Sequence, residues 1–322
     1  MGKIIAYGEL MLRIPLGEKS FFTQFPNYGG CELNSLAFLS QRGYDCEFLS
    51  SFPDSYVGQI IKSYVESLNI NCNFNFNKDR LGVYYTKTSE TNQPTEIYYD
   101  RKNSSFSNYL VPINNLKKIL SNKNFVILSG ITPALSPTCQ ENIYNIINVA
   151  KLYNVKVVYD INFRPSLWSI KECRNFNKQI LPQVDYLFAN SQTLRSILEI
   201  DTKSNDIDIF KESEDSLNQI IDQYNFSLIA MTIRKKNKLA SLINYKNTNI
   251  RSEIFEIDQI DRVGAGDSFL GSVMYGVLNG WGISKISLFS TSSFAIAHTF
   301  KGDVNRFVDE EIIKFKSNFS LG

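Results

Sequence analysis

The chain has 322 residues, with 34 Lys plus Arg against 32 Asp plus Glu, a formal net charge of +2. A balance this near neutral excludes a polyanion binder driven by bulk charge. At 43 % hydrophobic and 20 % charged residues the chain can bury a sizeable core, which excludes a disordered protein, and it is too long for a disulfide-stapled mini-protein.

From the N-terminus, KIIAYGE reads as a first strand, and LMLRIPL (10–16) and the residues up to Gly29 look extended. Val57, Ile60, Ile61, Tyr64, Val65 and Leu68 recur at i, i+3, i+4, i+7 and i+8, one face of an amphipathic helix. LGVYYTKT (81–88) and TEIYYDRK (95–102) are β-rich runs joined by the turn-rich SETNQP, a hairpin signal. FVILSG (125–130) reads as a buried strand, followed by a helix through Ile143, Ile146, Ile147 and Ala150. VKVVYDIN (155–162), DYLFAN (185–190) and LIAMTIR (228–234) are further strands, with a helix near TLRSILEI. Strand and helix in alternation, with buried strands, imply a mainly parallel sheet covered on both faces. The two tyrosine-rich runs and the 10–28 stretch break that rhythm. They imply a small β-sheet projecting from the α/β body, a lid over about 10–28 and 74–105 on one domain spanning 1–322.

Cys31, Cys46, Cys72, Cys139 and Cys173 are odd in number and form no CxxC pair, which argues against a zinc knuckle or redox dithiol and suits a reducing cytosol. His298 is the sole histidine, so HExxH metalloprotease chemistry is excluded. With no GxSxG elbow, His298 in FAIAHTF reads as a helix histidine of the surface or core. The opening residues contain no cleavable apolar stretch, and no apolar run approaches the ~18 residues of a membrane span. The expectation is a cytoplasmic protein with no membrane or nucleic-acid partner.

The most informative segment is Asp261-Arg262-Val263-Gly264-Ala265-Gly266-Asp267-Ser268-Phe269, between a strand-like FEI and a helix carried by Phe269, Leu270, Val273, Met274 and Val277. Gly271 and Ser272 would allow that helix to pack closely, and Asn279-Gly280 would end it. Gly264, Ala265 and Gly266 would present free N–H groups at a helix N-terminus, an anion site suited to charge on a transferring phosphoryl group. Asp267 at its lip could take the proton of an attacking hydroxyl. Alone, the same segment reads more readily as a capping turn, since Asp is a favoured cap and glycines often precede helices. It is neither a P-loop nor a dinucleotide fingerprint.

DRVGAGDSF resembles the C-terminal signature of the ribokinase-like (PfkB) sugar kinases, and Gly29-Gly30-Cys31-Glu32-Leu33-Asn34 resembles that family's GGxxxN sugar-binding turn. GELMLRI resembles its first strand, so the resemblance spans the chain. It implies a three-layer α/β/α fold with a mainly parallel central sheet and a small β-sheet lid. Asp267 would then be the general base and the GAGD turn the anion hole. Within the family, GGCELN, YYDR (98–101), LSGITPALS (128–136), DINFRPSLW (160–168) and MTIRKKNKLAS (231–241) are most like 2-keto-3-deoxygluconate kinases. A carboxylate substrate suits planar guanidinium partners, and the resemblance offers Arg101 and Arg164. It also places Gly30, Asn34, Tyr84, Tyr99 and Asp303 at the sugar, and Asn162, Asn190, Thr232, Arg234 and Asn305 at the nucleotide. Strand packing across the hairpin accounts equally for the two tyrosines.

Two departures stand out. Asn190-Ser191-Gln192-Thr193 has threonine where many relatives carry the glutamate of NxxE, and Arg234-Lys235-Lys236-Asn237 replaces a glycine-containing nucleotide turn. The resemblance implies ATP as co-substrate and Mg²⁺, with a monovalent cation as a further candidate; an exposed face on a small sheet often pairs with a copy of itself, so a homodimer through the lid is expected. The expected reaction is phosphorylation of 2-dehydro-3-deoxy-D-gluconate at its terminal hydroxyl, giving the 6-phosphate. The alternatives are a kinase of fructose, ribose or a nucleoside, or a degenerate homologue that binds without catalysis.

Overall fold

The computed structural model describes residues 2–16, 27–87, 96–200 and 208–319. Residues 17–26 and 88–95, which include the SETNQP connection and part of the expected lid, lie outside the described residues. The strands are β1 (Lys3–Tyr7), β2 (Met11–Leu16), β3 (Asn27–Gly29), β4 (Asp45–Pro53), β5 (Asn71–Asn77), β6 (Val83–Lys87), β7 (Glu96–Asp100), β8 (Phe125–Ser129), β9 (Lys156–Asp160), β10 (Tyr186–Ala189), β11 (Leu228–Lys235), β12 (Lys238–Tyr245), β13 (Thr248–Arg251) and β14 (Phe255–Glu256).

The large sheet runs in the order β13-β12-β11-β10-β9-β8-β1-β4-β5, with β14 beside β12. From β11 to β5 every pairing is parallel, whereas β12, β13 and β14 are antiparallel. Strand residues alternate between two cores. Ile5, Tyr7, Val126, Leu128, Val157 and Tyr159 pack with the helices around Ile143 and Phe176, while Ile4, Ala6, Ile127 and Val158 pack with those around Leu36 and Phe269. Burial of both faces accounts for the continuous apolar strand sequences. The expected three-layer α/β/α architecture is therefore present, with a mainly parallel central sheet.

β3, β2, β6 and β7 form a separate four-stranded sheet. β2 and β6 pair in parallel, and β6 and β7 form the antiparallel pair read from the tyrosine-rich runs. Residues 74–77 differ from the expected lid segment: they lie in β5, paired to β4 at the edge of the large sheet. The helix read from Val57 to Leu68 is Tyr56–Ser67, but it buries a narrower stripe than its periodicity suggests. Gly58, Ile61 and Val65 are buried, whereas Val57 and Ile60 are 44 % and 40 % exposed. An edge helix covers its sheet with one row of side chains, so the flanking apolar positions stay in water.

The helix Ala265–Leu278 packs against the helix Cys31–Ser40. A Cβ at Gly271 would come within 2.8 Å of the Phe38 Cβ, so glycine sets how closely the two axes approach. That contact brings the start of one helix, Gly264 to Asp267, beside the start of the other, Gly30 to Asn34.

Candidate active site

A cavity of about 360 Å³ opens where the two helix N-termini meet the carboxyl ends of the parallel strands. This is where open α/β sheets bind ligands. Residues just beyond β1, β8, β9 and β10 line it, as do Thr232 and Arg234 within β11, and the small sheet adds Tyr84 and Tyr99.

Asp267 sits in the first turn of Ala265–Leu278. Its Oδ2 accepts a 2.7 Å hydrogen bond from Asn34 Nδ2, so the two segments singled out in the sequence touch directly. Burial pushes the Asp267 carboxyl up to about 7; the Asn34 amide opposes this, and the negative Asp160, Asp303 and Glu32 add to it. An acid poised there changes charge near neutral pH, as a general base must. Gly264 caps the helix at φ +77°, a left-handed conformation suited to glycine, and a Cβ there would strike the Asp303 carbonyl oxygen. Among the described residues, the N–H groups of Gly264, Gly266 and Asp267 have no backbone acceptor. Ala265 differs from expectation. Its N–H makes a long 3.4 Å bond to the Arg262 carbonyl, and its side chain is fully buried in the core rather than in the cavity wall.

On the small-sheet side, Arg101 is buried and bonds through Nε to Glu9 Oε2 at 2.7 Å. Tyr84 donates to Asp303 Oδ1 at 2.6 Å, and Arg13 from β2 pairs with Asp303 Oδ2 and Asp261 Oδ2, each at 2.9 Å. Asp303 thus lines the cavity while already bound by two protein groups. Arg164, Arg234 and Arg262 line the same cavity, and none of them has an ion-pair partner among the described residues. Arg164 Nη1 donates to the Phe163 carbonyl, and Arg262 Nε to Gln259 Oε1. Burial, with the like charges of Arg262 and Arg164, lowers Arg234 to about 10.

Gly30, Asn34, Tyr84, Tyr99, Arg101, Asn162, Arg164, Asn190, Thr232, Arg234, Gly264, Gly266, Asp267 and Asp303 all line this cavity. Asn305 does not. It is buried behind the helix, where its Nδ2 donates to Ser268 Oγ at 2.6 Å and its Oδ1 accepts from the Phe307 N–H. Both functions of its amide are spent on the fold. Asn190 Oδ1 caps the Thr193 N–H at 2.9 Å, and Thr193 lines the cavity.

Sequence reading missed Glu9, Glu32, Asp160 and Arg262. Asp160, at the end of β9, is pushed up to about 7 by burial, with Arg164 opposing. Burial also raises Glu32, which accepts from Thr132 Oγ1 at 2.8 Å and from Cys31 Sγ. All four lie inside motifs of the sequence, but only the fold reveals that the Glu32 and Asp160 carboxyls converge.

This is the architecture of a phosphoryl-transfer enzyme of the α/β class, and the profile of the pfkB family carbohydrate kinases matches residues 3–304. The chain belongs to that family and is an ATP-dependent sugar kinase. It is 24 % identical over 315 residues to the 2-dehydro-3-deoxygalactonokinase of Haloferax volcanii, covering 96 % of this chain and 95 % of that protein. The crystal structure of 2-dehydro-3-deoxygluconokinase from Thermotoga maritima superposes with a TM-score of 0.91 at 28 % identity, over 98 % of this chain and all of that one. A ribokinase II-type protein from E. coli, solved in complex with ATP and Mg²⁺, shares the fold at 15 % identity with a TM-score of 0.80, over 99 % of this chain and all of that one.

Proposed function

We propose that the protein phosphorylates 2-dehydro-3-deoxy-D-gluconate at its terminal hydroxyl, giving the 6-phosphate and ADP. The observation that carries this reading is one cavity holding the Asp267 carboxyl, a helix N-terminus with unengaged N–H groups and arginines on both walls. Asp267 takes the hydroxyl proton as the oxygen attacks the γ-phosphorus. The Gly264–Asp267 turn receives charge developing on the transferred group. Arg164 and Arg101 orient the substrate carboxylate, and Asn34 holds Asp267 in place. Asn162, Asn190, Thr232 and Arg234 face the nucleotide.

Among the described residues no group of three or more His, Cys, Asp or Glu is placed to hold a metal ion. That donor set fits a Mg²⁺ held mainly by the triphosphate and water, with Asp267 and Asp160 as the nearby carboxylates. Mg²⁺ supplies charge neutralisation on the phosphates when bound. The small sheet acts as a lid that excludes water from the transfer. Its edge strand β7, with Tyr98 half exposed, is the surface through which a homodimer would form.

A second reading concerns the C4 epimer, favoured by the name of the Haloferax volcanii relative. An ADP-release assay across both epimers, fructose, ribose and a nucleoside separates the readings, with Asp267→Asn as control. Turnover concentrated on the acid sugars is expected. Turnover of fructose or ribose alone overturns the substrate, and pure folded protein silent on every sugar overturns the reaction.

A further inference from the structure

His298 belongs to no step above, yet it is completely buried where Arg234, a cavity residue, meets the segment that leads into the anion turn. Its ring lies in the short turn Ala297–Thr299 after the helix Ile283–Ile296. Nδ1 is 2.7 Å from the Phe294 carbonyl oxygen. A carbonyl can only accept, so Nδ1 carries the proton and Nε2 is left with a lone pair. Arg234 Nε donates to that Nε2 at 3.1 Å. The two bonds require the same tautomer. Burial and the positive Arg234 and Arg262 lower the imidazole to about 3, so it stays neutral.

The backbone of the same residue does a second job. The His298 carbonyl accepts the N–H of Ile260 at 2.8 Å and that of Asp261 at 3.3 Å, which anchors the strand of chain leading into the anion turn. Phe294 packs edge-on to the imidazole at 4.8 Å and lies 5.0 Å from the Arg234 guanidinium carbon. Arg234 is therefore held at Nε and along one face. Its two Nη groups have no hydrogen bond or ion pair among the described residues, and Arg234 lines the cavity, where it feels the charge of Asp267. Arg234 stays accessible from the open cavity and has no ion-pair partner among the described residues, so its Nη groups are open to an arriving anion.

We propose that His298 is a positioning residue: its Nδ1–H tautomer fixes Arg234 at Nε so that both Nη groups meet the terminal phosphate of ATP. This rests on the kinase reading for its ligand, but not for its geometry. Without the acceptor, Arg234 must seek another partner, and phosphate binding weakens while the sugar wall is untouched.

The single histidine makes the geometry directly readable, because its ring gives one pair of ¹⁵N resonances. A protonated Nδ1 and an unprotonated Nε2, unchanged from pH 6 to 8, are expected. A proton on Nε2, or a titration in that range, overturns the proposal whether or not the protein is a kinase. For function, His298→Leu removes the acceptor, and His298→Gln restores one near the Nε2 position. Loss of a hydrogen bond to a charged group is worth roughly a tenfold change or more. His298→Leu is expected to weaken ATP binding about tenfold, with ADP and sugar affinities changed less than about threefold. His298→Gln is expected to recover most of that loss. Equal losses for ATP, ADP and sugar, or no difference between the two variants with both folded by circular dichroism, would mean a purely structural histidine. Arg234→Lys, which keeps charge but loses the fork, should match His298→Leu. An inactive protein that still shows the expected ring tautomer would break the kinase reading and leave the positioning geometry standing.

Discussion

The two walls of the cavity treat positive charge in opposite ways. On the small-sheet wall, Arg101 is paired with Glu9, and Arg13 with both Asp261 and Asp303, all buried. On the sheet-end wall, Arg164, Arg234 and Arg262 lack a carboxylate partner among the described residues. On the first of these, each arginine is already met by a carboxylate. The other leaves its charge for ligands to neutralise. The net charge of +2 conceals this completely, because the asymmetry is local.

The largest test lies between the walls, at Asp267. Asp267→Asn keeps the acceptor for Asn34 Nδ2 but cannot take a proton. General-base loss should lower kcat by about 10²–10⁴-fold with substrate binding retained. In the native protein, kcat/KM should rise through about pH 7, where Asp267 ionises. Stability runs the other way. The folded value lies above that of an ordinary carboxylate, so the folded state binds this proton more tightly than the unfolded chain does. The resulting stabilisation is complete below about pH 4 and is lost as pH rises through about 7. Asp160, also raised to about 7, adds in the same direction. Ligand-free protein should therefore melt lower at pH 8 than at pH 5.5, and Asp267→Asn should reduce that difference. A pH-independent kcat/KM between 5.5 and 8.5 would remove Asp267 from the role of base.

The walls themselves are compared by two arginines assigned the same task from sequence. Arg101→Ala strands the Glu9 carboxylate in the interior, and breaking a buried pair costs about 3–5 kcal/mol. Its loss of activity should come with a large fall in denaturation midpoint, which the double variant Arg101→Met/Glu9→Gln largely repairs. Arg164→Ala breaks no ion pair, although it removes the positive charge that opposes the rise of the Asp160 carboxyl. Its stability should stay within about 0.5 kcal/mol of the native value, while KM for the acid sugar rises roughly 10–100-fold, the worth of one charge-assisted contact. Equal destabilisation by both variants would erase the distinction between the walls.

Much of this arrangement was legible in the sequence, for a physical reason. The strands bury both faces and therefore read as apolar runs, and the helix start at Gly264–Asp267 is specified locally by glycine, aspartate and the apolar spacing after it. Side-chain pairings were not legible. Arg13 reaches partners 248 and 290 positions away, and Arg101 reaches Glu9 across 92. No local pattern distinguishes a paired arginine from a free one. Asn305 shows the same limit from the other side: its position near the cavity is close to expectation, but Ser268 Oγ and the Phe307 N–H consume its amide. His298 read as an ordinary helix histidine of the surface or core, because nothing beside it announces Arg234, 64 positions earlier.

The smallest expected effect concerns Thr193, where the sequence departs from NxxE. Thr193 is the third residue of the helix Ser191–Leu198, and its N–H already bonds to the Asn190 cap. Thr193→Glu would place a carboxylate in the first helical turn, on the wall that otherwise gathers cations. Two local gains follow. The new side chain can reach back to the cap N–H and complete a capping box, and negative charge there suits the helix dipole, worth about 0.3–1 kcal/mol. A modest rise in melting temperature is expected. If the triphosphate and water hold Mg²⁺, as the scarcity of clustered protein ligands argues, the added carboxylate assists only indirectly. Half-saturating Mg²⁺ should then fall by only about two- to fivefold, with kcat nearly unchanged, since an outer contact of this kind is worth under about 1 kcal/mol. A fall of more than about tenfold would mean that the sheet-end wall lacks a metal contact it needs. Its uncompensated arginines would then be substituting for a missing carboxylate–metal pair rather than awaiting phosphate.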